Sequence, residues 1–440
     1  MKKLIQFIES KIAPFAGKIA GNRYIQALQH TFMTLIPFIT IGSLALVIIS
    51  PPVDYTTMSE GIIRTIMYGW SCIATWTGPT LGFVYNVTMQ LMALFVAIGL
   101  GLNLAKHYKM DVLMPTVITT MTFLVVATMN PEGTLTFTHL GGTGLFTSII
   151  VSILSFELYR KLSEKKVGYI NLSGSGVPPA LAESLGNLVP ATIILLVFGA
   201  LSQLVLSLTG VSVPDVISLL FSPIVNMVNS VWGVALLSLL VMILWWFGIH
   251  DTVITGPMDV ILMNNFTANV TAFAAGTAAI NLPYIVTEPF WWTFMAIGGS
   301  GATLGLAILA ATSKSKQIKT VGRLALVPSL FNINEPLIFG LPIMYNPSLM
   351  IPFILVMPLN GIITYVCMAT NIINKAFANA SWNMIAPIGA FIDTMDVRAL
   401  ILVLVLIVID VLIYFPFFKS YERKKLAEEA SEENAVEQNA

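Results

Sequence analysis

Residues 398–418 read RALILVLVLIVIDVLIYFPFF, and Arg398 and Asp410 are the two charged side chains among them. About 20 apolar residues in a helix cross the hydrocarbon core of a bilayer, so this stretch predicts a transmembrane helix. Eight further stretches have the same character, at residues 30–50, 82–103, 112–129, 143–159, 188–209, 228–248, 285–311 and 350–369. We therefore expect an all-α polytopic membrane protein with about ten transmembrane helices.

The composition of the whole chain agrees with this fold. Of its 440 residues, 56% are hydrophobic and 10% are charged, and the mean hydropathy is +0.84. Soluble domains carry about 25% charged residues, which excludes a soluble enzyme. The 22 basic and 22 acidic residues balance, so there is no basic excess to bind nucleic acid. Cys72 and Cys367 lie in apolar surroundings, and we expect both to be reduced packing residues.

Basic clusters predict the orientation of the chain. Besides the N-terminal lysines, they lie at residues 106–109, 160–166, 314–323 and 419–425. Because basic residues concentrate on the cytoplasmic side, both termini are expected there. An odd number of crossings must then separate residues 209 and 314, where two obvious candidates exist. Either residues 251–283 supply a third crossing, or the segment before His250 enters and leaves on one side. The acidic residues 428–437 are expected to be disordered.

The second half of the chain has the features of broken helices. Residues 167–313 contain no Lys or Arg, yet they include several acidic residues. Residues 323–347 contain four prolines, which no single straight helix tolerates. Non-helical backbone at membrane depth marks binding sites in transporters, so we predict re-entrant hairpins here. The predicted division is residues 1–175 for the dimer contact, 176–418 for the substrate and 419–440 as a cytoplasmic charged tail.

The strongest candidate site is the segment FNINEPLIFG at residues 331–340. Asn332, Asn334 and Glu335 place two amides and a carboxylate in a proline-broken apolar segment. Their donors and acceptors match those of sugar hydroxyl groups. The alternative is that the amides cap backbone groups freed at the break, because unpaired polar groups are costly in apolar surroundings.

A second candidate is the segment WWFGIHD at residues 245–251. Trp245 and Trp246 offer aromatic faces that stack on a sugar ring. A histidine in a stretch without basic residues, here His250, can hydrogen-bond a hydroxyl group or exchange its proton near neutral pH. Asp251 follows it directly and offers a carboxylate at the same place.

Tryptophans in a membrane protein have a second explanation, because they also anchor helices at the bilayer interface. Trp382 follows a polar loop and either closes the sugar site or serves as such an anchor. The same alternatives apply to Trp246. For Trp291 and Trp292 we expect the anchoring role.

Motifs of several other classes are absent from the sequence. It contains no G-x-x-x-x-G-K-[ST] loop, no H-E-x-x-H pair, no clustered Cys/His set and no potassium-channel filter. We therefore expect no metal and no cofactor on this chain.

Two segments carry a family resemblance. NINEPLIFGLPIMYNP at residues 332–347, together with WWFGIH at residues 245–250, closely resembles enzyme IIC, the membrane component of the bacterial phosphoenolpyruvate-dependent sugar phosphotransferase system, in its lactose, cellobiose and chitobiose branch. The resemblance implies a homodimer in the bacterial cytoplasmic membrane, with re-entrant hairpins that hold one disaccharide. It also implies a separate cytoplasmic IIB component as phosphoryl donor, with IIA upstream of it.

The resemblance also suggests residue roles. On the matching positions, Glu335 and His250 would contact the sugar around its C6 hydroxyl group, the group to be phosphorylated. Asn334 and nearby aromatic residues would orient the ring. Glycine often follows this histidine in the family, whereas Asp251 follows it here, which leaves the role of Asp251 open.

Two hypotheses follow from the sequence. The first is a phosphotransferase-system permease for a β-linked disaccharide, either cellobiose or diacetylchitobiose. The second is an ion-coupled secondary transporter in which Asp251, Asp259 or Glu288 binds H⁺ or Na⁺. The Asn334-Glu335-Pro336 segment beside a basic cluster favours the first hypothesis.

Overall fold

The computed structural model describes residues 21–438 except 52–54, 131, 133, 172–175, 177 and 250. All regular secondary structure in this part of the chain is helical. The α-helices are α1 Arg23–Ile49, α2 Ile62–Met89, α3 Met92–His107, α4 Leu113–Thr128, α5 Leu145–Glu164, α6 Pro179–Gly186, α7 Leu188–Thr209, α8 Val213–Val228, α9 Val231–Trp246, α10 Thr252–Ala274, α11 Leu304–Ala311, α12 Lys316–Leu330, α13 Glu335–Gly340, α14 Pro347–Ala369, α15 Ala386–Thr394 and α16 Val397–Gln438.

The lengths of these helices confirm an all-helical membrane fold. Five helices of the described chain are long and apolar enough to cross a bilayer, and the number rises to seven if each of two bent pairs is one span. The bent pairs are α2 with α3, at 45°, and α8 with α9, at 76°. The count of about ten transmembrane helices stays a prediction. The apolar helix α4 is shorter than the helices counted here, and segments broken into short helices are not counted either.

The chain forms two compact units. The first, called the regular-helix unit, consists of the described residues within 21–42 and 79–224, and its helices include α3, α4, α5 and α7. Its helices approach closely through small side chains: a Cβ atom on Gly101 would lie 2.8 Å from the Cα atom of Thr116. Ser148 Oγ donates to the carbonyl of Ala93 at 2.6 Å. Close packing of small and hydroxylated residues is the usual way that helices associate in lipid.

The second unit, called the broken-helix unit, contains Ser43–Gly78 and Val225–Ala440 in its described part. Its core packs α9, α11, α14 and α16 around large buried side chains, namely Trp291, Phe294, Phe353 and Tyr414. The chain passes between the units inside α1, α2 and α8, and the division at residue 175 stays a prediction. The assignment of dimer contact and substrate to the two predicted parts stays a prediction.

Two predicted spans are not single helices, since residues 82–103 cross the break between α2 and α3. Residues 285–311 do not form one helix but a π-helix, Phe290–Met295, then a turn, and then α11. Glycine allows the turn, because Gly298, Gly299 and Gly301 all have positive φ angles. The prediction that Trp291 is an interfacial anchor is also wrong, since its ring is buried in the core of the broken-helix unit.

The proline-rich segment is broken as predicted. Helix α12 ends at Leu330, and α13 begins after the residues Phe331–Asn334. The prediction of a disordered acidic tail is wrong, because α16 continues as a helix to Gln438. As far as Glu429 this extension is held by acidic side chains, because Glu422 and Glu429 accept hydrogen bonds from residues 313–317.

Gly322 lies in α12 at the place where this helix contacts the end of α11, and it provides a test of the packing of the two helices. A Cβ atom on Gly322 would lie 2.3 Å from backbone atoms of Ala310 and Ala311. We expect Gly322→Ala to destabilise the protein by about 1–3 kcal/mol, because backbone atoms cannot easily give way. Thermal unfolding of the purified protein in detergent measures the effect. Gly69→Ala is the control, since nothing lies within 4 Å of its added Cβ; equal unfolding midpoints for the two variants would contradict the close contact.

Candidate functional site

The candidate site is built around the glycine turn at residues 298–303, in the broken-helix unit. Gly299 has a φ angle of +99°, and a Cβ atom there would lie 2.4 Å from Cγ of Asn334. The side chain of Asn334 therefore packs directly on this turn. Its Nδ2 donates to the carbonyl of Ser300 and to Oγ1 of Thr303, both at 2.8 Å. The amide thus fastens the start of α13 to the turn before α11.

Asn332 contacts the glycine turn, the π-helix and the loop before α15 through one carboxamide. Its Oδ1 accepts the backbone N–H of Gly298 at 2.8 Å. Its Nδ2 donates to the carbonyls of Trp292, at 3.2 Å, and Trp382, at 2.6 Å. These contacts match the expected alternative, in which amides satisfy backbone groups at the break. A sugar-binding role for Asn332 and Asn334 remains a prediction.

Glu335 differs from the two asparagines in its exposure. Asn332 and Asn334 are 8% and 4% exposed, whereas Glu335 is an exposed residue. It is the first residue of α13, and Leu337 and Ile338 in the same short helix are fully buried. The buried residues fix the helix while the carboxylate stays accessible. Such a carboxylate is accessible to a ligand.

The tryptophan pair lies at the end of α9 and is enclosed by protein. Trp246 is 3% exposed, and its Nε1 donates to the carbonyl of Asn346 at 3.4 Å. Tyr345 donates its backbone N–H to the carbonyl of Trp246 at 3.1 Å and its Oη to that of Phe247 at 2.6 Å. The buried Trp246 ring does not face lipid headgroups. Stacking of Trp245 or Trp246 on a sugar stays a prediction.

His250 lies outside the described residues, and its role in the site stays a prediction. Its neighbour Asp251 is buried and accepts a hydrogen bond from Oγ of Ser300. Asp251 and Asn334 therefore meet at the same residue of the glycine turn. This contact brings the segment 245–251 and the segment 331–340 to one place.

Trp382 lies on the loop before α15, and 37% of its surface is exposed. The carbonyl of Trp382 accepts a hydrogen bond from Asn332. The N–H of the preceding residue, Ser381, donates to Oδ1 of Asn379 at 2.7 Å. Nδ2 of Asn379 donates to Glu288. The backbone beside Trp382 is thus fixed from two sides while the ring remains accessible.

Several residues of this network were not singled out from the sequence. Asp393 accepts Oγ1 of Thr293 and the N–H of Ala380, both at 2.7 Å. Three asparagines hold the non-helical segment that leads to Glu288. Asn229, between α8 and α9, accepts the N–H groups of Ile285 and Val286. In α10, Asn265 donates to the carbonyl of Val286, and Asn269 exchanges hydrogen bonds with the backbone of Tyr284. The glycine run at residues 298–301 was the sequence signal for a break at this place.

A family model described as "Phosphotransferase system, EIIC" matches residues 29–356. The chain belongs to the EIIC family of the phosphotransferase system. This EIIC chain is therefore a member of a family of sugar permeases of the cytoplasmic membrane, in agreement with its apolar helices. The resemblance inferred from residues 332–347 is confirmed.

Relatives of the EIIC chain match over nearly its whole length. It is 34% identical to the cellobiose-specific EIIC component of Geobacillus stearothermophilus, over 98% of this chain and 97% of that protein. It is 29% identical to the lactose-specific EIICB component of Lacticaseibacillus casei, over 97% of this chain and 73% of that protein. The crystal structure of the transporter ChbC, the IIC component from the N,N'-diacetylchitobiose-specific phosphotransferase system, matches with a TM-score of 0.86 at 31% identity, covering 96% of this chain and 99% of that chain.

The contacts of Asn332 predict the effect of one substitution in the EIIC chain. Asn332→Asp keeps the acceptor for Gly298 but turns an acceptor oxygen toward the carbonyls of Trp292 and Trp382. Because buried polar groups without partners cost about 1–3 kcal/mol each, we expect a clearly lower thermal unfolding midpoint and weaker sugar binding. Asn383→Asp is the control, since Asn383 is exposed and its Oδ1 accepts from the hydroxyl group of Ser381, a bond that a carboxylate can also accept. Equal stability of the two variants would contradict the role of Asn332.

Proposed function

We propose that this EIIC chain binds a β-linked disaccharide, cellobiose or diacetylchitobiose, carries it across the cytoplasmic membrane and presents its C6 hydroxyl group for phosphorylation by the phosphorylated IIB component. The observation that carries the proposal is the exposed Glu335, held at the start of α13 next to Asn334, whose amide is fastened to the glycine turn. The cellobiose-specific and diacetylchitobiose-specific relatives support this class of sugar.

Glu335 is proposed to act as the general base. A sugar hydroxyl group is a poor nucleophile, and a carboxylate within hydrogen-bond reach can accept its proton as it attacks. The C6 oxygen forms a bond to phosphorus while the bond between phosphorus and the cysteine sulfur of IIB breaks, and the proton passes to Glu335. The sulfur leaves as the thiolate. The phosphorylated sugar then carries charge, which traps it inside the cell.

Binding of the sugar is assigned to the groups around this carboxylate. The partly exposed Trp382 ring offers an apolar face, and the two fixed segments beside it keep that face in position. His250, together with Glu335, is proposed to contact the sugar near its C6 hydroxyl group. Asn332, Asn334, Trp245, Trp246 and Asp251 are proposed to complete the site, either in contact with the sugar or by holding the contacting groups.

The partner and the assembly are part of the same proposal. The EIICB relative, of which this chain covers 73%, supports a IIB partner at the cytoplasmic face. The basic residues at 314–323 and 419–425 support a cytoplasmic position for these segments and for both termini. The homodimer contact is proposed in the first part of the chain. Transport is proposed to occur by alternating access, with the broken helices moving together with the sugar.

The ion-coupled alternative is less favoured. Asp251 accepts a hydrogen bond from Ser300, and Glu288 accepts one from Asn379. These contacts give both acids a role in holding the turn and the loop before α15. Membership of the EIIC family also favours phosphoryl transfer over ion coupling as the driving force.

Substitution of the proposed base tests the mechanism. We expect Glu335→Gln to bind sugar with affinity within a few-fold of wild type but to lose at least 100-fold in phosphorylation rate, the usual scale of general-base catalysis. Sugar binding by calorimetry and sugar phosphate formation with phosphorylated IIB give the two values. His250→Ala is the comparison, and there we expect weaker sugar binding. Unchanged phosphorylation by Glu335→Gln would remove Glu335 as the base.

Uptake into vesicles tests the function as a whole. Labelled cellobiose and diacetylchitobiose are offered to vesicles that contain the purified chain, with and without phosphorylated IIB, and with ion gradients collapsed. We expect sugar phosphate to accumulate only with the partner and irrespective of the gradients. Accumulation of unmodified sugar driven by a gradient would support the ion-coupled transporter instead.

A further inference from the structure

The cytoplasmic extension of α16 holds the segment that leads into α12. Glu422 is buried, and its Oε1 accepts Oγ of Ser313 at 2.7 Å and the N–H of Lys314 at 2.8 Å. Its Oε2 accepts Nζ of Lys419 at 2.6 Å. The carboxylate is therefore ionised, and hydrogen bonds to an ionised acceptor are about twice as strong as neutral ones.

A second glutamate, seven residues further along α16, holds the N-terminus of α12. Oε1 of Glu429 accepts Oγ of Ser315 at 2.7 Å and the N–H of Gln317 at 3.0 Å, and Oε2 accepts the N–H of Lys316 at 3.3 Å. The N–H of Gln317 and the hydroxyl of Ser315 hold the pKa of Glu429 below its usual range. Seven residues are about two helical turns, so Glu422 and Glu429 lie on one face of α16.

The same part of α16 also contacts the other end of the hairpin. Oη of Tyr421 donates to the carbonyl of Leu341, directly after α13, at 3.3 Å. Tyr421 and Glu422 are neighbours, so one turn of α16 contacts both the entry to α12 and the exit from α13. Between these two points the chain has Glu335. The hairpin α12–α13 is thus held at its base by a single helix.

We propose that Tyr421, Glu422 and Glu429 form a clamp that sets the position of Glu335 for phosphoryl transfer, which makes them positioning residues for that step. The inference rests on the proposed role of Glu335 as the base. A general base must lie within hydrogen-bond reach of its proton, and a misplacement of about 1 Å can reduce a rate by about 100-fold. Loosening the base of the hairpin therefore lowers the phosphorylation rate more than the sugar affinity.

A purely structural role for these residues gives a different result. If the clamp only stabilised the end of α16, its removal would lower the thermal stability or yield without changing either the hairpin or the reaction of the folded protein. The test therefore needs a direct readout of the hairpin. Ser329 provides one, because it is fully buried near the end of α12 and its Oγ has no hydrogen-bond partner in the described part of the chain.

The experiment uses the full-length chain with Cys72→Ser, Cys367→Ser and Ser329→Cys, so that the single thiol lies in the hairpin. Glu429→Ala is the main variant, since Glu429 is only half-buried and the change should fold. Glu428→Ala is the matched control, because the neighbouring Glu428 pairs with Lys425 and makes no contact with residues 313–317 among those described. Glu429→Gln is a milder variant that keeps one acceptor oxygen.

Two quantities are measured for each variant. The first is the rate of thiol labelling of Ser329→Cys by a water-soluble maleimide in detergent. The second is phosphorylation of cellobiose and diacetylchitobiose by phosphorylated IIB, separated into turnover and sugar affinity, in the same variants with Ser329 restored. For Glu429→Ala we expect labelling to rise about tenfold and turnover to fall about tenfold, with sugar affinity within twofold. Glu429→Gln should lie between it and Glu428→Ala, which should match the parent.

Unchanged labelling in Glu429→Ala would overturn the clamp, as would faster labelling with unchanged turnover. If the parent protein itself forms no sugar phosphate with IIB, the proposed function fails, and the labelling rates alone then decide whether α16 holds the hairpin. The two failures are thus distinguishable in the same set of variants.

Discussion

Backbone groups inside a bilayer find no water, so every segment that leaves the helical conformation needs partners supplied by the protein. In the broken-helix unit these partners are mostly asparagine side chains. Asn332 alone accepts one backbone N–H and donates to two carbonyls, which ties together the glycine turn, the π-helix and the loop before α15. A carboxamide suits this task because it offers a donor and an acceptor without a charge that would have to be stabilised in apolar surroundings.

The accessible groups of the candidate site depend on this arrangement. Glu335 follows Asn334, and the Trp382 ring extends from a backbone that Asn332 and Asn379 hold in place. The segments Thr287-Glu288-Pro289 and Asn334-Glu335-Pro336 both lead into a short helix after a non-helical stretch, yet their glutamates differ. Glu288 is buried and hydrogen-bonded to Asn379, while Glu335 is exposed. The Glu288 carboxylate therefore stabilises the fold, whereas the Glu335 carboxylate is accessible to a ligand.

Much of the fold could be predicted because apolar length is a strong signal. The stretch at residues 188–209 has the same bounds as α7, and the four prolines at residues 323–347 indicated the break before α13. The prediction of one span at residues 285–311 is wrong because the composition of this stretch is as apolar as that of a span. Hydropathy alone does not show that three of its glycines adopt positive φ angles and interrupt the helix. The buried position of Trp291 and the partners of Asp393 depend on contacts between distant segments, which composition does not encode. The helical tail was missed for the same reason, since the partners of Glu429 lie more than 100 residues earlier in the chain.

The spacing of Glu422 and Glu429 limits how the end of this chain can vary. A helix turns by about 100° per residue, so a single insertion or deletion between the two glutamates would rotate one of them away from residues 313–317. Substitutions on the opposite face of the same turns change no partner of either carboxylate. Residues inserted after Glu429 would leave the register of the two carboxylates intact. Length changes in relatives should therefore accumulate after this point and be rare before it.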